Sequence, residues 1–220
     1  MSLSRDTTPP TWPFRPNVRA LAGALRDLVL TRIAKHWVTL TVEGAENLDG
    51  LTTSGLFIFN HSDDFDVPVL YAAVPTRIRR RLAVAVGANI MDEHLILAFV
   101  ARFFYAGFAF ARVPPFRSSL RYVGELVASG RHVLLAPEGE LSENGELGEF
   151  KPGIGLLAIK LGVPVIPMRI DGLYGTVPMH AWWPKRHSTV TVHIGAPLTF
   201  GRDDKPRDVA IALREAVQNL

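Results

Sequence analysis

Short, unbroken apolar runs constrain this chain most: GLFIF at 55–59, VLLA at 133–136 and VPVIP at 163–167 sit between glycine, proline or polar neighbours. Runs of that length are too short for helices and read as strands buried on both faces. WVTLTVEG (37–44), RRRLAVAVGAN (79–89) and STVTVHIG (188–195) add further strand segments. Between them, SSLRYVGELVASG (118–130) and GIGLLAIKLG (153–162) end at glycines that can close helices. The final DDKPRDVAIALREAVQNL opens with capping residues and proline, then repeats Val209, Leu213, Val217 and Leu220 as a closing helix. Strands alternating with helices predict an α/β fold: a single-domain, mixed, mainly parallel sheet flanked by helices. A chain of 220 residues, 48% of them hydrophobic, is long enough to bury one such core.

Ahead of the first strand, residues 1–36 read as a proline-rich lead and a basic amphipathic helix, with 37–220 as the main domain. NVRALAGALRDLVLTRIAK (17–35) places Val18, Leu21, Leu25, Leu28, Val29 and Ile33 at helical spacing among Arg19, Arg26, Arg32 and Lys35. Such a helix suits either a membrane interface or the covering of a core. The opening MSLSRDTTPPTWPFRP has no apolar segment of the secretory kind, so the expected place is the cytoplasm. LILAFVARFFYAGFAFA (95–111) falls short of the roughly 20 apolar residues a spanning helix needs and contains Arg102, so it reads as buried or interfacial.

Charge and cysteine content remove several function classes. The formal net charge is only +3, which argues against a nucleic-acid partner. There are no cysteines, so disulfides, thiolate metal sites and cysteine nucleophiles are absent.

Directly behind GLFIF comes NHSDDFDVPVL (60–70), with one histidine and three aspartates. His61 and Asp66 are spaced so that the carboxylate can accept from one ring nitrogen and leave the other free to take a proton. That is the base and orienter half of a catalytic triad, with the nucleophile supplied by a substrate hydroxyl. Taken alone, the cluster fits other readings: Asp64 or Asp66 as caps of the next helix, His61 as a satisfied strand-end histidine, or His61, Asp63, Asp64 and Asp66 as ligands of a divalent ion.

The cluster is followed in order by VLLAPEGELS (133–142), GELGEFKPGIGLLA (145–158) and GVPVIPMRI (162–170). This ordered set, from about residue 55 to 170, resembles the glycerolipid acyltransferase family of the 1-acyl-glycerol-3-phosphate type. The resemblance implies transfer of a fatty acyl group from an acyl-CoA or acyl carrier protein thioester to the hydroxyl of a lysophospholipid or related lipid, with no other cofactor and no metal. It implies His61 as general base, Asp66 as its partner, and Glu138 and Gly139 in the turn where the family binds its acceptor. Arg112, closing AGFAFAR (106–112), matches the arginine of the family's second block and would pair with an anionic group of the acceptor, although Ala106 stands where the family has glycine. Lys151 in EFKPG, with Arg77, Arg79, Arg80 and Arg81, is placed to meet the phosphates of the donor or of a membrane surface. The alternatives are a water-exposed turn carboxylate at Glu138 and a solvated basic face for the arginines.

Glu140 and Leu141 replace the Thr-Arg pair of the family's Pro-Glu-Gly block. A dianionic phosphomonoester normally needs several charge-assisted bonds, so an acceptor bearing a phosphodiester, a sugar, an amino-acid headgroup or a plain alcohol is expected to fit better. HAWWPKRH (180–187), with Trp182, Trp183, Lys185 and Arg186, has the mix of an interfacial anchor or of a loop packed on the domain. The combined expectation is an acyltransferase peripheral to the inner face of the cell membrane. Its rivals are a metal-dependent hydrolase using the His/Asp cluster and a catalytically silent lipid- or thioester-binding module.

Overall fold

In the computed structural model, which describes residues 12–30, 36–111, 117–176 and 187–220, the apolar runs form the centre of a seven-stranded sheet. The strands are β1 (Val38–Glu43), β2 (Leu56–Phe59), β3 (Leu82–Gly87), β4 (Phe108–Phe110), β5 (His132–Leu135), β6 (Val165–Asp171) and β7 (Ser188–Ile194). Their order is β1-β7-β6-β2-β5-β3-β4, and adjacent strands are parallel except β6 and β7. The sheet is therefore mixed and mainly parallel, as its unbroken apolar strands require.

Side-chain alternation splits the core into two layers. Phe57, Phe59, Leu134, Ile166 and Met168 face α2 (Asp66–Ala73) and α3 (Thr76–Arg79). Leu56, Ile58, Val133, Leu135 and Val165 face α6 (Arg117–Ala128), α7 (Pro152–Leu161) and α8 (Pro206–Gln218). Val209, Leu213 and Val217 are buried along α8, whereas Leu220 lies beyond the end of that helix. On β5, His132 is buried with its ring edge-on to Phe57, and its Nδ1 accepts the Gly55 N–H at 3.0 Å just before β2.

The segment 79–111 is more divided than its sequence suggests. β3 runs into α4 (Ala88–Glu93) and α5 (Leu95–Tyr105), and the chain then turns at Ala106 into β4. Ala106 has φ +50°, a left-handed conformation that costs a residue with a Cβ more than it costs glycine.

The N-terminal helix presents the reverse of a core-covering face. α1 (Pro16–Leu25) continues as a π-helical turn over Arg26–Leu30. Leu21, Leu25 and Leu28 are exposed, while Ala22 and Arg26 are buried. Arg26 donates from Nη1 to the Phe104 carbonyl at 3.0 Å and lies over the Tyr71 ring, 5.0 Å from its centroid. Small Ala22 permits close approach and the guanidinium anchors the helix, so the leucines remain outside. Leu95, Ile96 and Phe99 of α5, which packs beside α1, are also exposed, and Trp12 stacks on Phe99 at 6.2 Å. No helix among the described residues is long and apolar enough to cross a membrane.

Candidate active site

The chain leaves β2 at Phe59, the last residue paired with β6, and Asn60 ties the two parallel strands together one step further on. Its side-chain amide donates to the Ile170 carbonyl at 2.9 Å and accepts the Ile170 N–H at 2.7 Å, so β6 clamps the residue before the histidine. The C-terminal ends of β2, β5 and β6 thereby share one edge, the place where parallel α/β sheets gather their ligands.

His61 follows, partly exposed, with its Nδ1 2.8 Å from Oδ2 of Asp66 and its ring edge against Phe59 at 5.9 Å. Asp66 is fully buried. Its Oδ2 also accepts the backbone N–H groups of Ser62 at 2.9 Å and Asp63 at 3.2 Å. Burial pushes the Asp66 carboxyl above the ordinary carboxylate range, while the His61 ring and these N–H groups pull it back. A carboxylate in that position accepts, so Nδ1 of His61 is the donor and Nε2 is left with its lone pair available.

The aspartates do not cap the next helix as the sequence suggested. The residue preceding α2 is Phe65, which has no side-chain cap, and Asp66 is the first helical residue with its carboxylate turned back onto residues 61–63. Asp63 Oδ1 accepts the Phe65 N–H at 3.0 Å and so tightens the turn. An imidazole and two N–H groups offer the Asp66 carboxylate more than one helix end does.

Beyond β5, the Pro137-Glu138-Gly139 turn brings a second carboxylate to the same edge, with Gly139 at φ +79°. Glu138 is buried rather than water-exposed: Oε1 accepts the His61 N–H and Oε2 the Gly148 N–H, each at 2.8 Å. The Ser142 N–H donates to the His61 carbonyl at 2.8 Å. The same loop walls a cleft of about 520 Å³ whose lining includes Glu140, Leu141, Glu143, Glu146, Glu149 and Lys151. Lys151 Nζ lies 3.8 Å from Glu140 Oε1, both side chains exposed.

His61, Asp66, Glu138, Gly139 and Lys151 are thus brought to one edge of the sheet. Arg112 lies outside the described residues, as do Trp182, Trp183, Lys185 and Arg186. Three of the run of arginines hold carbonyls of the fold: Arg77 that of Leu48 at 2.6 Å, Arg79 that of Val74 at 3.1 Å and Arg81 that of Gly130 at 2.6 Å. Among the described residues no group of three or more His, Cys, Asp or Glu is arranged to hold a metal ion. Sequence reasoning missed Asn60, Ser142 and Arg214, the last of which donates to the Gly148 and Leu147 carbonyls of the loop at the cleft. An amide ending an otherwise wholly apolar strand was the available signal for Asn60, because a buried amide must find partners; no local signal marks the other two.

Residues 39–171 match the family model described as Acyltransferase. A chloroplastic 1-acyl-sn-glycerol-3-phosphate acyltransferase of Brassica napus is 26% identical over 188 residues, covering 78% of this chain and 51% of that protein. Its counterpart in Arabidopsis thaliana is also 26% identical, with 78% of this chain and 49% of that protein covered. This chain therefore spans about half the length of those curated relatives. Among solved structures, the 1-acyl-sn-glycerophosphate acyltransferase of Thermotoga maritima superposes with a TM-score of 0.64 at 22% identity, covering 90% of this chain and 82% of that one, a likeness of fold.

Proposed function

Because the chain belongs to the Acyltransferase family, we propose that it moves a fatty acyl group from a thioester, of coenzyme A or of an acyl carrier protein, to a hydroxyl of a lysophospholipid or related lipid acceptor. The observation that carries this reading is the buried Asp66 carboxylate 2.8 Å from Nδ1 of His61, at the strand edge beside the cleft. Nε2 of His61 takes the proton of the acceptor hydroxyl as its oxygen attacks the thioester carbonyl. Asp66 stabilises the imidazolium that forms. Collapse of the tetrahedral intermediate breaks the carbon–sulfur bond, and the imidazolium returns the proton to the departing thiolate, leaving ester, thiol and neutral His61.

The reaction takes place at a membrane surface in this reading. Leu21 and Leu25 of α1, Leu28 of the π-helical turn that continues it, and Leu95, Ile96 and Phe99 of α5 are exposed apolar side chains on adjacent helices, suited to the boundary between headgroups and acyl chains of the inner leaflet. The test is a mass-spectrometric screen of the purified protein with oleoyl-coenzyme A and oleoyl carrier protein against a panel of lysolipids. Acylated acceptor and free thiol in equal amounts are expected with at least one pair. Thioester left intact across the panel, or hydrolysed without acceptor product, contradicts the reading.

A further inference from the structure

We propose that Glu138 is a positioning residue rather than an acceptor ligand: it ties the main chain of His61 to the loop walling the cleft, so that base and acceptor are held in one register. The inference rests on the reading of His61 as general base. Both carboxylate oxygens are already engaged, Oε1 by the His61 N–H and Oε2 by the Gly148 N–H, each at 2.8 Å. An ionised acceptor with two backbone donors makes stronger bonds than a neutral one, and here they join residues from two separate parts of the chain. A Cβ at residue 148 would lie 2.8 Å from Oε2, so a side chain there would push the carboxylate out of its present place.

The same loop holds the other main-chain polar group of His61, through the Ser142 N–H on its carbonyl at 2.8 Å. From the far side, Arg214 of α8 donates from Nε to the Gly148 carbonyl at 2.9 Å and from Nη2 to the Leu147 carbonyl at 3.1 Å. A continuous path of bonds therefore runs from α8 through the cleft loop and Glu138 to the base. Asp66 sets the orientation of the imidazole; Glu138 and Ser142 set where its backbone stands. Errors of about 1 Å in such placement cost roughly a hundredfold in rate.

The test compares wild type with Glu138→Gln, which keeps the side-chain volume but puts an amide N–H₂ against one of the two backbone donors. In ¹H–¹⁵N spectra the amide resonances of His61 and Gly148 are expected to shift, with the strands away from this edge unmoved. With oleoyl-coenzyme A as donor and lysophosphatidylethanolamine or 1-oleoyl-glycerol 3-phosphate as acceptor, kcat is expected to fall roughly tenfold to a hundredfold while the acceptor KM stays within about twofold. Glu138→Asp, too short to reach both donors, is expected to restore little. A tenfold rise in acceptor KM at unchanged kcat would make Glu138 an acceptor ligand and overturn the proposal. Unmoved His61 and Gly148 amides in Glu138→Gln would overturn it without any reference to activity. Absence of turnover by the wild type overturns the acyltransferase reading and is told apart by those amides.

Discussion

At the scale of single residues, the proposed chemistry depends on how one carboxylate is occupied. Asp66 faces an imidazole and two backbone N–H groups and has no exposed surface. Asp66→Asn preserves the shape but turns an amide N–H₂ toward donors. It should lower kcat by roughly 10²- to 10⁴-fold in initial-rate assays, the usual worth of an oriented acid–base group. Asp64→Asn, at an exposed position, should change kcat by less than about twofold. The spacing of His61 and Asp66 was legible in the sequence because both belong to one short segment. The occupancy of Glu138 was not, since its partners His61 and Gly148 lie 77 and 10 residues away and only the folded chain brings them together.

At the scale of elements, strands were easier to read than helix faces. GLFIF and VPVIP are apolar throughout because both faces of the sheet are covered, and no choice of face is involved. The N-terminal helix carries a leucine stripe that periodicity identifies, but periodicity is silent on whether that stripe faces core or surroundings. Docking through Ala22 and Arg26 decides it. Leu95→Glu with Ile96→Glu, at positions 78% and 69% exposed, should leave the melting temperature within about 2 °C. The double variant should lose most flotation with anionic vesicles; undiminished flotation would remove α5 from the membrane-facing surface.

The junction of β5 and β2 titrates in a defined direction. Burial, with Arg81 and Arg77 nearby, lowers the His132 pKa to about 4, from about 6.5 for an unperturbed histidine. Above pH 6.5 the ring is neutral folded or unfolded, and its contribution to stability does not vary with pH. Between pH 6.5 and 4 the unfolded chain takes up a proton that the folded chain refuses, so stability falls with pH. At about 1.4 kcal/mol per unit, the loss is on the order of 3 kcal/mol. His132→Asn, whose carbonyl can accept the Gly55 N–H, should flatten the dependence of melting temperature on pH in that window; an unchanged slope would place the titration elsewhere.

At the scale of the whole molecule, the cleft adjoins His61 through Glu138 and Ser142 without being lined by His61 itself, and an acceptor headgroup that enters it on the way to the base meets the charge of its walls. Glu140, Glu143, Glu146 and Glu149 line it with Lys151, and that lysine sits beside Glu140. A dianionic headgroup entering the cleft would be repelled by about 1 kcal/mol per unit charge for each carboxylate within about 4 Å in water, with Lys151 offsetting part of it. Zwitterionic or uncharged lysolipids should therefore show the higher kcat/KM, and Glu140→Gln should raise kcat/KM for 1-oleoyl-glycerol 3-phosphate by roughly fivefold. Equal or better use of the phosphomonoester by the wild type would contradict this.

Whether His61 is the base of an acyl transfer is decided by the rate of acylated product formed by His61→Ala on the best acceptor of the screen. The rate is expected to fall at least about a hundredfold with the fold intact by circular dichroism. A variant retaining more than about a tenth of the wild-type rate would contradict that role.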